Sequence, residues 1–160
     1  MYKVFISHST RDKGLVAALA HLFKELELTP VVARWYLTPN APLDKKVFGL
    51  IDGSDCIVVL LTKNGMRSNW VRQEIGYSIK QNKNIIPIVE RGTLKRDLDA
   101  LKGREHILYD AQRPDAALQT ASTYIKHLHL KKKEQEKAIV VIGGIAAFLY
   151  LLSQMGGDNK

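Results

Sequence analysis

Cysteine is nearly absent from this chain of 160 residues: Cys56 stands alone, so an internal disulfide and a cysteine-based zinc site are both excluded. Neither G-x-x-x-x-G-K-[ST] nor G-x-G-x-x-G occurs, which leaves both standard ways of cradling a phosphate on a glycine-rich turn without support. H-E-x-x-H is missing too, and His127 and His129, two positions apart, have poor ligand geometry for a helix, so no metal site is expected. Glycine- or serine-rich linkers, proline-rich stretches and internal repeats are not found. The opening residues, Met1 to Ile6 running into Ser7-His-Ser-Thr-Arg, lack the pattern of a secretory signal.

What is present is a composition for one ordinary domain and little more. Hydrophobic residues make up 46% and charged residues 25%, which rules out disorder for most of the chain. Twenty-four Lys and Arg against sixteen Asp and Glu give a formal charge of +8. That charge is uneven. Residues 126–137 hold five lysines against Glu134 and Glu136 with no interleaved aromatics, so nucleic-acid binding is not expected. The next fifteen residues, 138–152, contain no charge and no strong polar group. The mean hydropathy of -0.13 therefore averages a water-soluble part with a very apolar one.

Over the first 125 residues, strand-like and helix-like patterns alternate. Residues 2–6, 30–34, 56–61, 84–89 and 107–109 read as strands. The run 56–61 is apolar throughout, as in a strand covered on both faces, and Pro87 argues for an edge or near-edge place for 84–89. Between them, Ser9 and Asp12 look like a capping start for a helix whose apolar face is Leu15, Leu19, Leu22 and Leu26. Residues 43–51, 69–81 (stripe Val71, Ile75, Ile79) and 116–130 read as further helices, and 35–42, with two prolines and an asparagine, as a loop. Strands separated by helices imply an α/β fold, a mostly parallel five-stranded sheet between two helical layers, with sites at the carboxyl ends of strands. The segments to inspect are then 7–11, 35–42, 62–70 and 90–93.

Those segments are specific. KVFISHSTRD (3–12), WYLTPNAPL (35–43), GSDCIVVLLT (53–62), SNWVRQEI (68–75) and NIIPI (84–88) fall in the order of the blocks of bacterial-type TIR (Toll/interleukin-1 receptor) domains, which residues 2–110 resemble. Asn40 stands where that family usually has glycine and can take a positive φ in its place; Ala33 replaces a frequent acidic residue and Pro42 a small polar one.

The resemblance implies a flavodoxin-like three-layer sandwich and one of two roles. Many TIR domains cleave the nicotinamide–ribose bond of NAD+, giving nicotinamide with ADP-ribose or a cyclic variant, in defence or signalling. Others are non-enzymatic scaffolds that act through TIR–TIR contacts. In the enzymes the glutamate of W-x-x-x-E is catalytic, which here is Glu74; a solvated helix glutamate is the alternative. The chemistry suits a carboxylate, because breaking a glycosidic bond to a cationic leaving group builds an oxocarbenium-like sugar. Ser7 and His8 follow the first strand, Arg34 and Trp35 end the second, and Trp70 shares a helix face with Glu74; with Phe5 these are the expected substrate-binding residues, Arg34 toward the pyrophosphate. For Trp70 packing over the sheet edge, for His8 a capping or packing role, and for Arg34 a surface ion pair remain open. Tyr36, Pro39, Asn40 and Pro42 fall in the loop through which neighbouring TIR domains complete one another's sites. NAD+ would be substrate, with no cofactor.

The resemblance ends before the tail. Residues 138–155, taken as one helix, would span about 27 Å, at the lower limit for a hydrocarbon core of roughly 30 Å. No polar face exists over 138–152, which argues against a helix lying in the membrane plane. The expected organisation is a TIR domain over 1–125, a basic juxtamembrane segment over 126–137, a transmembrane helix over 138–155 and a short tail over 156–160. The flanking lysines place the domain on the cytoplasmic side of the membrane.

Overall fold

A computed structural model describes residues 1–33, 43–93, 101 and 104–155, with the last stretch, 139–155, as helix backbone. The elements are β1 (Lys3–Ser7), α1 (Lys13–Glu25), β2 (Thr29–Val31), α2 (Leu43–Asp52), β3 (Cys56–Leu61), α3 (Lys63–Met66), α4 (Asn69–Lys80), β4 (Asn84–Glu90), β5 (Ile107–Tyr109) and α5 (Pro114–Met155). The chain divides into two units, Met1–Tyr124 and Ile125–Lys160.

In the first unit the strands form one sheet in the order β2-β1-β3-β4-β5. All four pairings are parallel. The central strand β3 is buried at every position, as its unbroken apolar run requires when helices cover both faces. Successive side chains of a strand face opposite ways. Phe5, Ile57, Val59, Leu61, Ile85 and Val89 accordingly form one core with Val47 and Ile51 of α2, Met66 of α3, and Val71 and Ile75 of α4. Val4, Ile6, Val58, Leu60 and Ile88, at the alternate positions, are equally buried. Right-handed crossovers send α1, which joins β1 to β2, to that opposite face, because the chain there runs the other way along the sheet. Its buried residues are Val16, Leu19, Ala20 and Phe23. Pro87 lies opposite Val59 in a strand flanked by β3 and β5, one in from the edge, and Pro30 lies in the edge strand β2.

Two local details correct the sequence reading. Helix α1 starts at Lys13, four residues after the expected cap, and Asp12 makes no side-chain capping bond. Its carboxylate is used across the sheet instead: Oδ2 accepts from the Thr62 hydroxyl (2.7 Å) and Oδ1 from the Asn64 amide (2.9 Å). Residues 63–66, expected as loop, form the short helix α3, whose cap is Thr62, accepting from the Gly65 amide at 2.9 Å. Glycine is required there, since a Cβ at position 65 would lie 2.0 Å from the Leu60 carbonyl oxygen.

Cys56 is buried where β3 starts, and burial pushes its thiol up to about 12, which leaves it an inert packing group. In the second unit the helix continues without a break to Met155, where a separate helix over 138–155 was expected. Lys132 and Glu136 pair on its surface at 3.6 Å. Among the described residues no helix is long and apolar enough to cross a membrane; the side chains of 139–160 lie outside them.

Candidate functional site

The strand order reverses between β1 and β3: the chain goes from β1 outward to β2, then crosses back to β3. Open α/β sheets bind ligands at the carboxyl ends of the strands beside such a point. At that end β1 finishes in Ser7, paired with Val59 of β3. A turn then carries the chain to α1, with the Asp12 amide bonded to the Ser9 carbonyl and the Arg11 amide to the Ser9 hydroxyl. The Asp12–Thr62–Asn64 bonds tie this turn to the end of β3, so the two loops on either side of the reversal are braced against each other.

Helix α4 approaches the same place from one face of the sheet. Ser68 caps it, accepting from the Val71 amide at 3.4 Å. Its buried residues are Val71, Glu74, Ile75 and Ser78, spaced i, i+3, i+4 and i+7, so a glutamate occupies the helix's apolar stripe. Glu74 is 7% exposed and Ser7 fully buried. The Ser7 hydroxyl donates to Glu74 Oε2. Burial pushes the Glu74 carboxyl up to about 7, against the opposing pull of the Ser7 hydrogen bond. Desolvation of the charged form outweighs a single donor here, and the group changes its charge near neutrality.

Glu74 forms part of the wall of a cleft of about 180 Å³. His8, Ser9 and Thr10 line one side from the β1–α1 turn; Ser68 and Trp70 line another from the start of α4. Ala33, Leu43 and Val47 supply an apolar wall. Trp70 is 42% exposed, which puts its indole at the mouth, one helical turn before Glu74. The His8 Nδ1–H donates to the Ile6 carbonyl at 2.9 Å, so the neutral ring carries its lone pair on Nε2. The cleft thus combines an aromatic rim, an imidazole, hydroxyls and one carboxylate of raised proton affinity, a set suited to holding a sugar and answering positive charge on it.

Of the residues singled out in the sequence, Glu74, His8 and Trp70 line one cleft. Ser7 sits behind it, reaching it only through Glu74. Phe5 is placed differently from the expectation: it is fully buried in the core beneath the sheet and is not a lining residue, because its position in β1 faces α2 and α4. Arg34 and Trp35, with the loop positions Tyr36, Pro39, Asn40 and Pro42, lie outside the described residues. Ser9, Thr10, Leu43, Val47 and Ser68 were not singled out as binding residues. Ser9, Thr10 and Ser68 lie in strand-end segments marked for inspection, whereas nothing local distinguishes Leu43 or Val47 from core residues. Among the described residues there is no cluster of three or more His, Cys, Asp or Glu that could hold a metal ion.

Comparison with solved structures places this fold among known ones. The TIR domain of a Toll-related receptor from Hydra magnipapillata aligns over 79% of this chain and 99% of its own, with a TM-score of 0.62 and 17% identity. The TIR domains of the activated Roq1 resistosome align over 78% and 99% with a TM-score of 0.60 and 14% identity. A CMP N-glycosidase from Clostridium botulinum aligns over 76% and 98% with a TM-score of 0.56 and 20% identity. No curated protein matches the chain. The family model of the TIR domain matches residues 4–121, from the first core residue of β1 to the third turn of α5, and the chain belongs to the TIR domain family.

Proposed function

We propose that this chain is an NAD+ nucleosidase that breaks the nicotinamide–ribose bond beside Glu74, the ribosyl carbon passing to water, which gives up a proton, or to an adenine nitrogen of the same molecule. The observation that carries the reading is the placement of that carboxyl, nine-tenths buried, hydrogen-bonded to Ser7 and open to a cleft whose mouth is Trp70. The leaving nicotinamide departs neutral and needs no strong acid. The barrier lies in the positive charge that grows on the ribose, and a fixed carboxylate in a desolvated cleft stabilises such a charge more than water does. The positive pyridinium of the bound substrate itself favours the ionised form of Glu74, drawing its proton affinity back down as the site fills. The cleft volume is below the ~300 Å³ usual for whole small-molecule sites, and suits the nicotinamide riboside end of the dinucleotide. The Clostridium botulinum enzyme is named for cleaving an N-glycosidic bond to a ribose, the same class of reaction.

Residues 34–42 join Ala33 to Leu43, two lining residues of the cleft. On this reading, activity depends on self-association of the chain through residues 35–42, and Arg34 is the cation offered to the pyrophosphate. Residues 138–155 anchor the chain in a membrane, with the lysines of 126–137 on the same side as the TIR domain.

Incubating the full chain with NAD+ at high protein concentration, beside Glu74→Ala, tests the proposal by nicotinamide release. Release that disappears in the variant is the expected result. Equal release from both refutes the site, and no release from clustered wild-type protein favours a TIR scaffold without catalysis.

A further inference from the structure

Ser7 was expected to touch substrate, and its place behind Glu74 gives it a different task. Its side chain is fully buried, and its hydroxyl donates to Glu74 Oε2 from the last residue of β1, a strand held on both sides by β2 and β3. The other oxygen, Oε1, has no hydrogen-bond partner among the described residues. Nor is it among their side-chain atoms sealed from solvent without a partner, the sole such atom being the Ser122 hydroxyl. The two oxygens of one carboxylate are therefore unequal: one is clamped to the sheet, the other opens on the cleft.

We infer that Ser7 is a positioning residue which locks the Glu74 side chain with Oε1 toward the cleft. This rests on the reading of Glu74 as the group that faces the sugar. A glutamate on a helix has three rotatable bonds, and an unclamped carboxylate spreads over several rotamers. A donor on a sheet backbone selects one of them before substrate arrives. The same bond favours the charged form and opposes the effect of burial, in the direction found for Glu74. A hydrogen bond to a charged group is worth about one to two pKa units, so without it Glu74 would hold its proton well above neutrality.

Among the described residues lining the cleft, His8 is the other titratable group. It stands on the β1–α1 turn, while the lining residues of α2, Leu43 and Val47, and Ala33 after β2 carry no charge. Glu74→Gln assigns the signal, since the glutamate Cδ titration that disappears in that variant belongs to Glu74.

The test uses the full chain carrying ¹³C at glutamate Cδ, with wild type, Ser7→Ala, Ser7→Thr and Glu74→Gln compared. The Glu74 carboxyl is titrated by NMR without substrate, and the pH profile of nicotinamide release is measured in parallel. Ser7→Ala is expected to raise both midpoints by about one to two pH units. It should also lower the rate at the alkaline plateau, where ionisation is complete and only orientation differs. Ser7→Thr, which keeps the hydroxyl, should return the NMR midpoint toward that of wild type. An NMR midpoint unchanged in Ser7→Ala overturns the inference whether or not the protein is active. A midpoint that moves in a protein releasing no nicotinamide supports the clamp and refutes the nucleosidase reading.

Discussion

Replacing Glu74 by glutamine should make this protein more stable at alkaline pH, and the size of the gain follows from where the carboxyl sits. Glu74 is 7% exposed, and burial moves it from an ordinary 4.5 to about 7. Between those values the folded chain still holds a proton that the unfolded chain has released. The stabilisation from that proton is complete below about pH 4.5 and is lost as pH rises through about 7. A shift of this size corresponds to about 3 kcal/mol between the two ends of the window. Glutamine has the shape of glutamic acid, accepts the Ser7 hydrogen bond and cannot ionise, so it keeps the stability of the protonated form at every pH.

The measurement is urea unfolding of wild type and Glu74→Gln between pH 4.5 and 8.5. Ionisable groups far from position 74 cancel in the difference. The two should agree within about 0.5 kcal/mol at the acid end and separate to about 3 kcal/mol at pH 8, equivalent to about 10 °C in midpoint temperature. Equal stability at pH 8, or a less stable variant, refutes the reasoning, because it means that the ionised carboxylate carries no desolvation cost in the fold. The expected result, together with lost nicotinamide release, identifies a residue that the fold tolerates at the expense of stability.

Trp70→Ala should leave unfolding midpoints almost unchanged, since the indole is 42% exposed, yet lower nicotinamide release about three- to tenfold through lost ring stacking, read from steady-state kinetics. Gly65→Ala should destabilise by about 2–4 kcal/mol in urea unfolding, because its Cβ would collide with the Leu60 carbonyl, which belongs to the backbone of β3. Asp12→Ala removes the acceptors of Thr62 and Asn64 and should cost about 2–3 kcal/mol by the same assay, with no change in the pH of the Glu74 titration. Full-length chain should float with neutral phosphatidylcholine vesicles in a density gradient. Aspartates at both Val141 and Leu149 should abolish flotation at about 2.5–3.5 kcal/mol per charge.

The sheet was legible because its signal is local. The apolar run of β3 and the short run of β5 end where the sequence pattern ends, at Cys56–Leu61 and Ile107–Tyr109. What was not legible depends on partners distant in sequence. Asp12 follows Ser9 at capping spacing, yet its two oxygens are taken by Thr62 and Asn64, fifty residues on, so the helix begins after it. Four residues carry no helical period, which hid α3. Phe5, expected to bind substrate, shares its face of β1 with Ser7 but lies two residues deeper, where α2 and α4 cover it. The cleft wall from Leu43 and Val47 could not be told from core, because both roles ask for the same apolar side chains.

The role expected of Glu74 came from the family resemblance, while the spacing left a solvated glutamate open; its burial has a physical reason in α4. Val71 and Ile75 define the buried stripe of α4, and position 74 falls between them, three residues after one and one before the other. A glutamate free to meet water would avoid that stripe, since ionised carboxylates are seldom buried unless paired. Here the partner is a serine, not a cation, so the charge is only partly compensated and the carboxyl keeps its proton to about pH 7. An arginine or lysine in place of Ser7 would hold the carboxylate ionised far below neutrality, but it would also neutralise the field that a growing positive charge on a sugar must feel. A neutral donor leaves that field intact when Glu74 ionises. On the proposed reading, the conflict between the local rule for α4 and the residue found there serves chemistry, and it falls beside the reversal of strand order, where the fold already opens a cleft.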